Sequence, residues 1–309
     1  MAHREGILAY ALATLKIGAE PTACIEVDGV FYPIAAAAKR YKLAGLGGGL
    51  VDIMIDWAGS RRKLDALAKK LADGRMKGVA AAKARLLAPL LYPRKILCAG
   101  ANYYDHIAEM GVTDTRKEAQ RLFFFFKPPR TAVVGPGKTV KKPTHSNALD
   151  WEIELAAVIG KRAKDVAEAD ALGVIAAYTV AIDLSARDLN FVPDSFFKLD
   201  WTAGKGQDTC CPMGPKLVPA AFIKDPQDLA LRLLVNGEVK QNARTSGMIF
   251  SIREQIAHLS KIMTLEPGDV VLTGTPAGVG FPKKTFLSVG DHVDAEIEGI
   301  GRLSVDIGA

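Results

Sequence analysis

The chain has few cysteines, few histidines, few aromatic residues and no long apolar run. Its four cysteines are Cys24, Cys98 and the adjacent pair Cys210 and Cys211, and no C-x-x-C occurs. That pattern excludes a zinc knuckle, a thioredoxin-like redox pair and a disulfide framework, which makes the reducing cytoplasm the simplest home. The longest uncharged stretches, Ala171–Ile182 and Val270–Pro282, fall short of the ~18–20 residues of a membrane-spanning helix. Gly6–Leu15 imitates a signal-peptide core. Glu5 before it, Lys16 after it and the missing small-residue cleavage site make it a first strand instead. Charge of one sign is not concentrated either. Lys and Arg number 40 against 34 Asp and Glu, a net +6. The densest basic runs, Arg61-Arg62-Lys63 and Lys141-Lys142, are too short for a nucleic-acid stripe. With 7% aromatics, 16 Pro, 29 Gly and no internal repeat, a coiled coil or solenoid is excluded as well.

What is present is an ordinary globular balance, 49% hydrophobic and 24% charged over 309 residues. That length suits two domains at roughly 150 residues each. In residues 1–90, Ile7–Ile17 and Ala23–Ile34 read as short strands broken by the turn signals Gly18–Pro21 and Asp28-Gly29. Gly45 and Gly47–Gly49 form a break, and Leu64, Leu67 and Leu71 mark an amphipathic helix over Ser60–Ala72. This is a small α+β domain without a catalytic constellation. In residues 91–309, strands are expected at Lys95–Cys98, Leu122–Phe126, Ile153–Ile159, Gly173–Ile182, Val270–Thr273, Val293–Ile297 and Leu303–Ile307. Asn236-Gly237 between Leu229–Val235 and Glu238–Gln241 signals a type I′ hairpin. Helices are expected from Tyr104 and over Ser251–Ile262, and Phe196–Asp208 reads as a loop. Many short strands with few helices predict a β-dominated α+β protein, not a doubly wound sheet.

The segment Asp150-Trp151-Glu152-Ile153-Glu154-Leu155 is the strongest local oddity. On a strand, Glu152 and Glu154 share a face. Two carboxylates ~4 Å apart repel by about 4 kcal/mol at an effective dielectric of 20. They therefore need solvent, a shared proton or a cation between them. A solvated face is the ordinary reading, but Ala156 and Val158 continue the same face and are apolar. Asp183, where the run Gly173–Ile182 empties into a loop, offers a third oxygen, with Asp188 in competition. Carboxylates without Cys or His favour Mg²⁺ or Mn²⁺ over zinc.

Of five histidines, His3, His258 and His292 read as structural or exposed, and His145 sits in a polar loop. His106 differs, because Glu109 follows at i+3 on one helical face. That pair is either a solvated surface contact or an oriented general base. Thr273-Gly274-Thr275-Pro276-Ala277-Gly278-Val279-Gly280 is a tight turn or a cradle for a carboxylate, and it lacks the ending of a P-loop. Lys198 and Lys205 are surface lysines or partners for an anionic substrate.

Together these pieces resemble the fumarylacetoacetate hydrolase superfamily, in its bacterial acylpyruvate hydrolase and 2-hydroxyhepta-2,4-diene-1,7-dioate isomerase branch. The ordered motifs run from Pro93 to the C-terminus. They are Lys95–Tyr103 leading to His106 and Glu109, Phe125-Phe126-Lys127-Pro128, Trp151–Leu155, Ile182–Asp188, Met248-Ile249-Phe250-Ser251 and Thr273–Pro276. The resemblance implies a mixed β-sandwich roll, assembled as a homodimer. It implies Glu152, Glu154 and Asp183 as ligands of Mg²⁺ or Mn²⁺, and His106, Glu109 and Lys205 as catalytic residues. Arg187, Asn190, Thr275 and Tyr103 would meet the substrate. Asn190 departs from the pattern, since many acylpyruvase-like members carry Gln there.

The implied activity is metal-dependent hydrolysis of a C–C bond in a 2,4-dioxo acid of the acylpyruvate or fumarylpyruvate type. It would run through a metal-stabilised enolate with water activated by His106 and Glu109. The alternative keeps the enolate and omits water: an isomerase or decarboxylase, oxaloacetate included, acting on dicarboxylic 2-oxo acids of aromatic catabolism. A non-catalytic ligand-binding protein on the same scaffold is the third reading.

Overall fold

A computed structural model describes residues 8–309; His3 and the start of the Gly6–Leu15 run lie outside the described residues. The chain begins with a meander, β1 (Ala11–Ile17), β2 (Glu20–Val27) and β3 (Val30–Pro33). Helices α1 (Ile34–Arg40), α2 (Leu50–Ile55) and α3 (Trp57–Leu71) follow, and then β4 (Val79–Ala80). The apolar stripe of α3 is buried as expected at Leu64, Leu67 and Leu71.

Beyond residue 90 come β5 (Ile96–Gly100), α4 (Tyr104–Glu109), β6 (Phe123–Lys127), β7 (Val133–Val134), β8 (Thr139–Lys141), β9 (Leu149–Asp150), β10 (Ile153–Ile159) and β11 (Ile175–Ile182). The next elements are β12 (Ser185–Ala186), α5 (Arg187–Asn190), α6 (Trp201–Lys205), β13 (Cys211–Pro219), β14 (Ala230–Val235) and β15 (Glu238–Arg244). The chain closes with α7 (Ile252–Ile262), β16 (Val270–Leu272), β17 (His292–Ile297) and β18 (Gly301–Gly308). Asn236 and Gly237 take φ of 51° and 82°, the left-handed pair that the β14–β15 hairpin requires.

Eleven strands form one mixed sheet in the order β4-β3-β2-β1-β13-β11-β10-β16-β5-β6, with β7 beside β13. A second sheet runs β15-β14-β17-β18-β8. The fold is β-dominated, and alternation along β10 explains its layering. Ile153, Leu155, Ala157 and Ile159 face one core, shared with Leu231 and Leu233 of β14, Val293 of β17, Leu303 of β18 and Ile256 of α7. Ala156 and Val158 face the other core, shared with Leu64 and Leu67 of α3 and Leu12 of β1. At about 1.5–3 kcal/mol for each large apolar side chain removed from water, these two layers supply the main favourable term. The meander is continuous with the rest of the sheet, because Leu12 of β1 pairs with Leu217 of β13.

Two segments differ from their sequence reading. Phe196–Asp208 is not all loop: Trp201–Lys205 is helical, because the Asp200 carboxylate accepts the Ala203 amide at 2.8 Å and caps it. The strand β13 was not expected, because Pro212, Gly214 and Pro215 argue against a central strand. It is accommodated by a register shift against β11 between Tyr178 and Val180.

Candidate active site

Strand register builds the acidic cluster. Ile153 pairs with Ile182, and the Asp183 amide donates to the Glu152 carbonyl at 2.8 Å, so Glu152 lies opposite Asp183. Glu154, paired with Ala181, comes next on the same face. All three side chains are buried, and they bring one oxygen each within 4.8 Å of one another. Asp188 goes elsewhere. It accepts from the Ser146 hydroxyl and the Asn147 amide, and it is exposed.

Three cations compensate this charge. Lys205 Nζ donates to Glu152 Oε2 and Asp183 Oδ2, both at 2.8 Å. Lys127 Nζ lies 2.6 Å from Asp183 Oδ1 and donates to the Leu184 carbonyl. Arg187 Nη2 meets Glu152 Oε1 at 2.5 Å, and its Nε donates to Asp150 at 2.9 Å. Burial alone would raise the Glu152 carboxyl, but Lys205, Arg187 and His106 outweigh it and bring it down to about 2. Glu154 goes the other way. Burial first, then the charges of Asp183 and Glu152, push it well above the usual carboxylate range. Among the described residues it has no ion-pair partner, only the Gly274 amide donating to Oε2 at 2.6 Å. A convergent set of oxygen donors, one of them without a cation, fits a hard divalent ion. Glu152, Glu154 and Asp183 would hold it.

His106 is buried on α4, and its Nδ1 lies 2.8 Å from Glu109 Oε1. The other carboxylate oxygen of Glu109 accepts the Gly278 amide at 2.9 Å, which ties α4 to the glycine-rich loop. A solvated surface contact, the alternative for this pair, does not describe the burial of His106; Glu109 is half-buried. His145 is exposed, and His258 stacks on Phe124 at 6.1 Å. Lys198 turns its Nζ back to the Pro193 carbonyl, so of the two candidate lysines only Lys205 enters the cluster.

The remaining candidates line the surroundings. Tyr103 is fully buried with no hydrogen-bond partner for its hydroxyl among the described residues, and burial followed by the charge of Glu154 raises its pKa well above the ordinary value. The Thr275 hydroxyl donates to the Ile153 carbonyl at 2.9 Å and accepts from Gln241 Nε2 at 2.8 Å. Asn190 packs on Gly204 of α6, where a Cβ would collide with it. Sequence reasoning missed four residues here. Lys127 stood in the Phe125–Pro128 motif but was given no role. Asp150 was overshadowed by Glu152 and Glu154. Gln241, which accepts the Ile153 amide at 2.9 Å, carried no local signal, and Asn102, which bonds both Phe250 and Thr273, stood in the Lys95–Tyr103 motif without a role.

Comparison with known proteins bears on this geometry. Residues 95–307 match the fumarylacetoacetate hydrolase C-terminal family model. The chain is 41% identical over 239 residues to the mitochondrial oxaloacetate tautomerase of Xenopus laevis, covering 77% of this chain and 72% of that protein. A 2-hydroxyhepta-2,4-diene-1,7-dioate isomerase from Mycobacterium marinum superposes with a TM-score of 0.70 at 32% identity, covering 97% of this chain and 98% of that one. A fumarylpyruvate hydrolase from Pseudomonas aeruginosa, solved with Mn²⁺ and pyruvate, gives a TM-score of 0.64 at 34% identity, covering 72% of this chain and 91% of that one.

Proposed function

As a member of the fumarylacetoacetate hydrolase family, to which the chain belongs, this protein is an enzyme, and we propose that it hydrolyses a C–C bond in a 2,4-dioxo acid. The observation that carries the reading is a buried His106, bonded to a half-buried Glu109, together with three convergent carboxylates. Glu152, Glu154 and Asp183 would hold a divalent ion, which when bound would supply Lewis-acid stabilisation of negative charge on the substrate oxygens. The Pseudomonas aeruginosa relative, whose structure holds Mn²⁺ and pyruvate, supports such an ion. Mg²⁺ is the other hard ion suited to this donor set.

The protein's own groups divide the remaining work. With Nδ1–H directed at Glu109, His106 is held in the tautomer whose Nε2 accepts a proton from water. That water adds to the distal carbonyl carbon, the bond to the neighbouring CH₂ breaks, and its electron pair leaves with the 2-oxo fragment. Protonation of that carbon completes pyruvate or a related 2-oxo acid, and the distal part departs as a carboxylic acid. Lys205 and Arg187 bring positive charge to the carboxylate cluster, and Tyr103, Asn190 and Thr275 are the residues proposed to meet the substrate. The proposal includes a homodimer and a cytoplasmic setting, with residues 1–90 as a small appended domain that shares its sheet with the rest of the chain.

The test is loss of the dicarbonyl absorbance of acetylpyruvate and fumarylpyruvate on adding Mn²⁺-loaded protein. EDTA should abolish turnover, and His106→Ala should lower it by about 10²–10⁴. Turnover indifferent to either change overturns the reading. A second reading, enol–keto tautomerisation of oxaloacetate, is favoured by the Xenopus laevis relative. It needs proton transfer at carbon without water addition. Rapid tautomerisation with no cleavage of any acylpyruvate selects it.

A further inference from the structure

One carboxylate at this site holds no candidate metal position and yet receives four hydrogen bonds. Asp150 is completely buried. Its Oδ1 accepts the Trp151 amide at 2.8 Å and the Gly280 amide at 2.7 Å. Its Oδ2 accepts the Phe281 amide at 3.0 Å and Arg187 Nε at 2.9 Å. Those four donors fill the lone-pair positions of a carboxylate. Gly280 leaves no room for a side chain, since a Cβ there would meet the Thr285 carbonyl and lie 2.9 Å from Asp150 Oδ1.

The consequences reach both halves of the site. A guanidinium gripped at Nε has its plane fixed. Arg187 therefore presents Nη2 to Glu152 at 2.5 Å, with its carbon 5.7 Å from the centre of the Phe281 ring. The loop that donates two amides to Asp150 also donates the Gly278 amide to Glu109. Trp151, next to Asp150, reinforces that loop through its Nε1 bond to the Gly278 carbonyl at 3.0 Å.

We propose that Asp150 is a positioning residue, which aims Arg187 at the bound 2-oxo acid while fixing the loop that orients the His106–Glu109 pair. The inference rests on the proposed function only in taking a 2-oxo acid as the ligand Arg187 meets. Neutral Asn cannot replace it, because an amide NH₂ would face an N–H donor at whichever oxygen it displaced.

The experiment is pyruvate binding to the Mn²⁺-loaded full chain, read by calorimetry, with Mn²⁺ affinity titrated separately. Asp150→Asn should raise the pyruvate Kd about tenfold, and the Mn²⁺ Kd should stay within about threefold. In an Arg187→Ala background, adding Asp150→Asn should change the pyruvate Kd by less than about twofold, as coupled residues require. An equal loss in both backgrounds, or an unchanged pyruvate Kd in the single variant, overturns the proposal. If Asp150→Asn does not fold, Arg187→Lys replaces it, since it leaves the three backbone bonds to Asp150 intact. A lysine reaches only one carboxylate in place of two, so a similar rise in Kd is expected, and no rise overturns the proposal. Pyruvate binding needs no turnover. A wild-type protein that binds pyruvate and cleaves no acylpyruvate therefore sinks the hydrolase reading while these variants still decide the role of Asp150.

Discussion

At the scale of single residues, the site is an exercise in uneven compensation. Glu152 and Asp183 each have cations at hydrogen-bond distance, whereas Glu154 has a backbone amide and two like charges for neighbours. An unpaired buried carboxyl is an unfavourable element of a metal-free fold and a favourable ligand once an ion arrives. Glu154→Gln should therefore separate stability from binding. The expected outcome is a Tm in EDTA equal to or above that of the wild type, together with a loss of Mn²⁺ affinity of about a hundredfold or more, in line with the scale of losing a charged ligand. Thermal scans with and without Mn²⁺ check it. A variant that loses Tm in EDTA and keeps its Mn²⁺ affinity would contradict this account of the residue.

At the scale of elements, the β17–β18 pair carries a titratable ladder away from the site. Asp294 is paired with Ser304 and accepts from its hydroxyl and from Arg302, while His292 pairs with Asp306, its Nδ1 at 2.6 Å from that carboxylate. Burial pushes Asp294 upward, but the Arg302 and Ser304 bonds outweigh it and bring it down to about 2. The Asp306 hydrogen bond raises His292 above its usual 6.5. Stabilisation from the depressed carboxyl is complete above about pH 4 and disappears as pH falls towards 2. Stabilisation from the raised imidazole is complete below 6.5 and disappears as pH rises through its higher folded value. Asp294→Asn should flatten the acid limb of a Tm–pH curve and His292→Gln the limb above 6.5. The imidazole's contribution is modest because His292 is half exposed. Most strands of residues 91–309 were legible in the sequence because apolar runs ended in turn residues, as at Asn236-Gly237. Alternation at Glu152 and Glu154 gave the shared face of the acidic pair. The strand β13 was not legible, because its prolines and glycine contradict local propensity and its pairing partners β1, β7 and β11 lie elsewhere in the chain. The bridging roles of Gln241 and Asn102 were not legible for a related reason. Their partners lie far away in sequence, and nothing local announces a residue that bridges loops.

At the scale of the whole molecule, the large sheet joins segments that the sequence reading set apart. Leu12 is fully buried in a core that also holds Leu67, Leu217 and Val270. Leu12→Ala should cost about 2–5 kcal/mol, read as a lower urea midpoint with an unchanged slope. It should shift the loss of tertiary signal from the candidate site by the same amount, because one cooperative unit contains both. Two separate transitions, with only the first displaced, would show that the meander melts independently. The same pairing sets a timetable for biosynthesis. Strand β1 emerges from the ribosome about two hundred residues before its neighbour β13. At roughly 5–20 residues per second, the nascent meander waits some tens of seconds with one edge unsatisfied. Its helices can condense on it during that interval, but its closing seam cannot form until most of the polypeptide has been made.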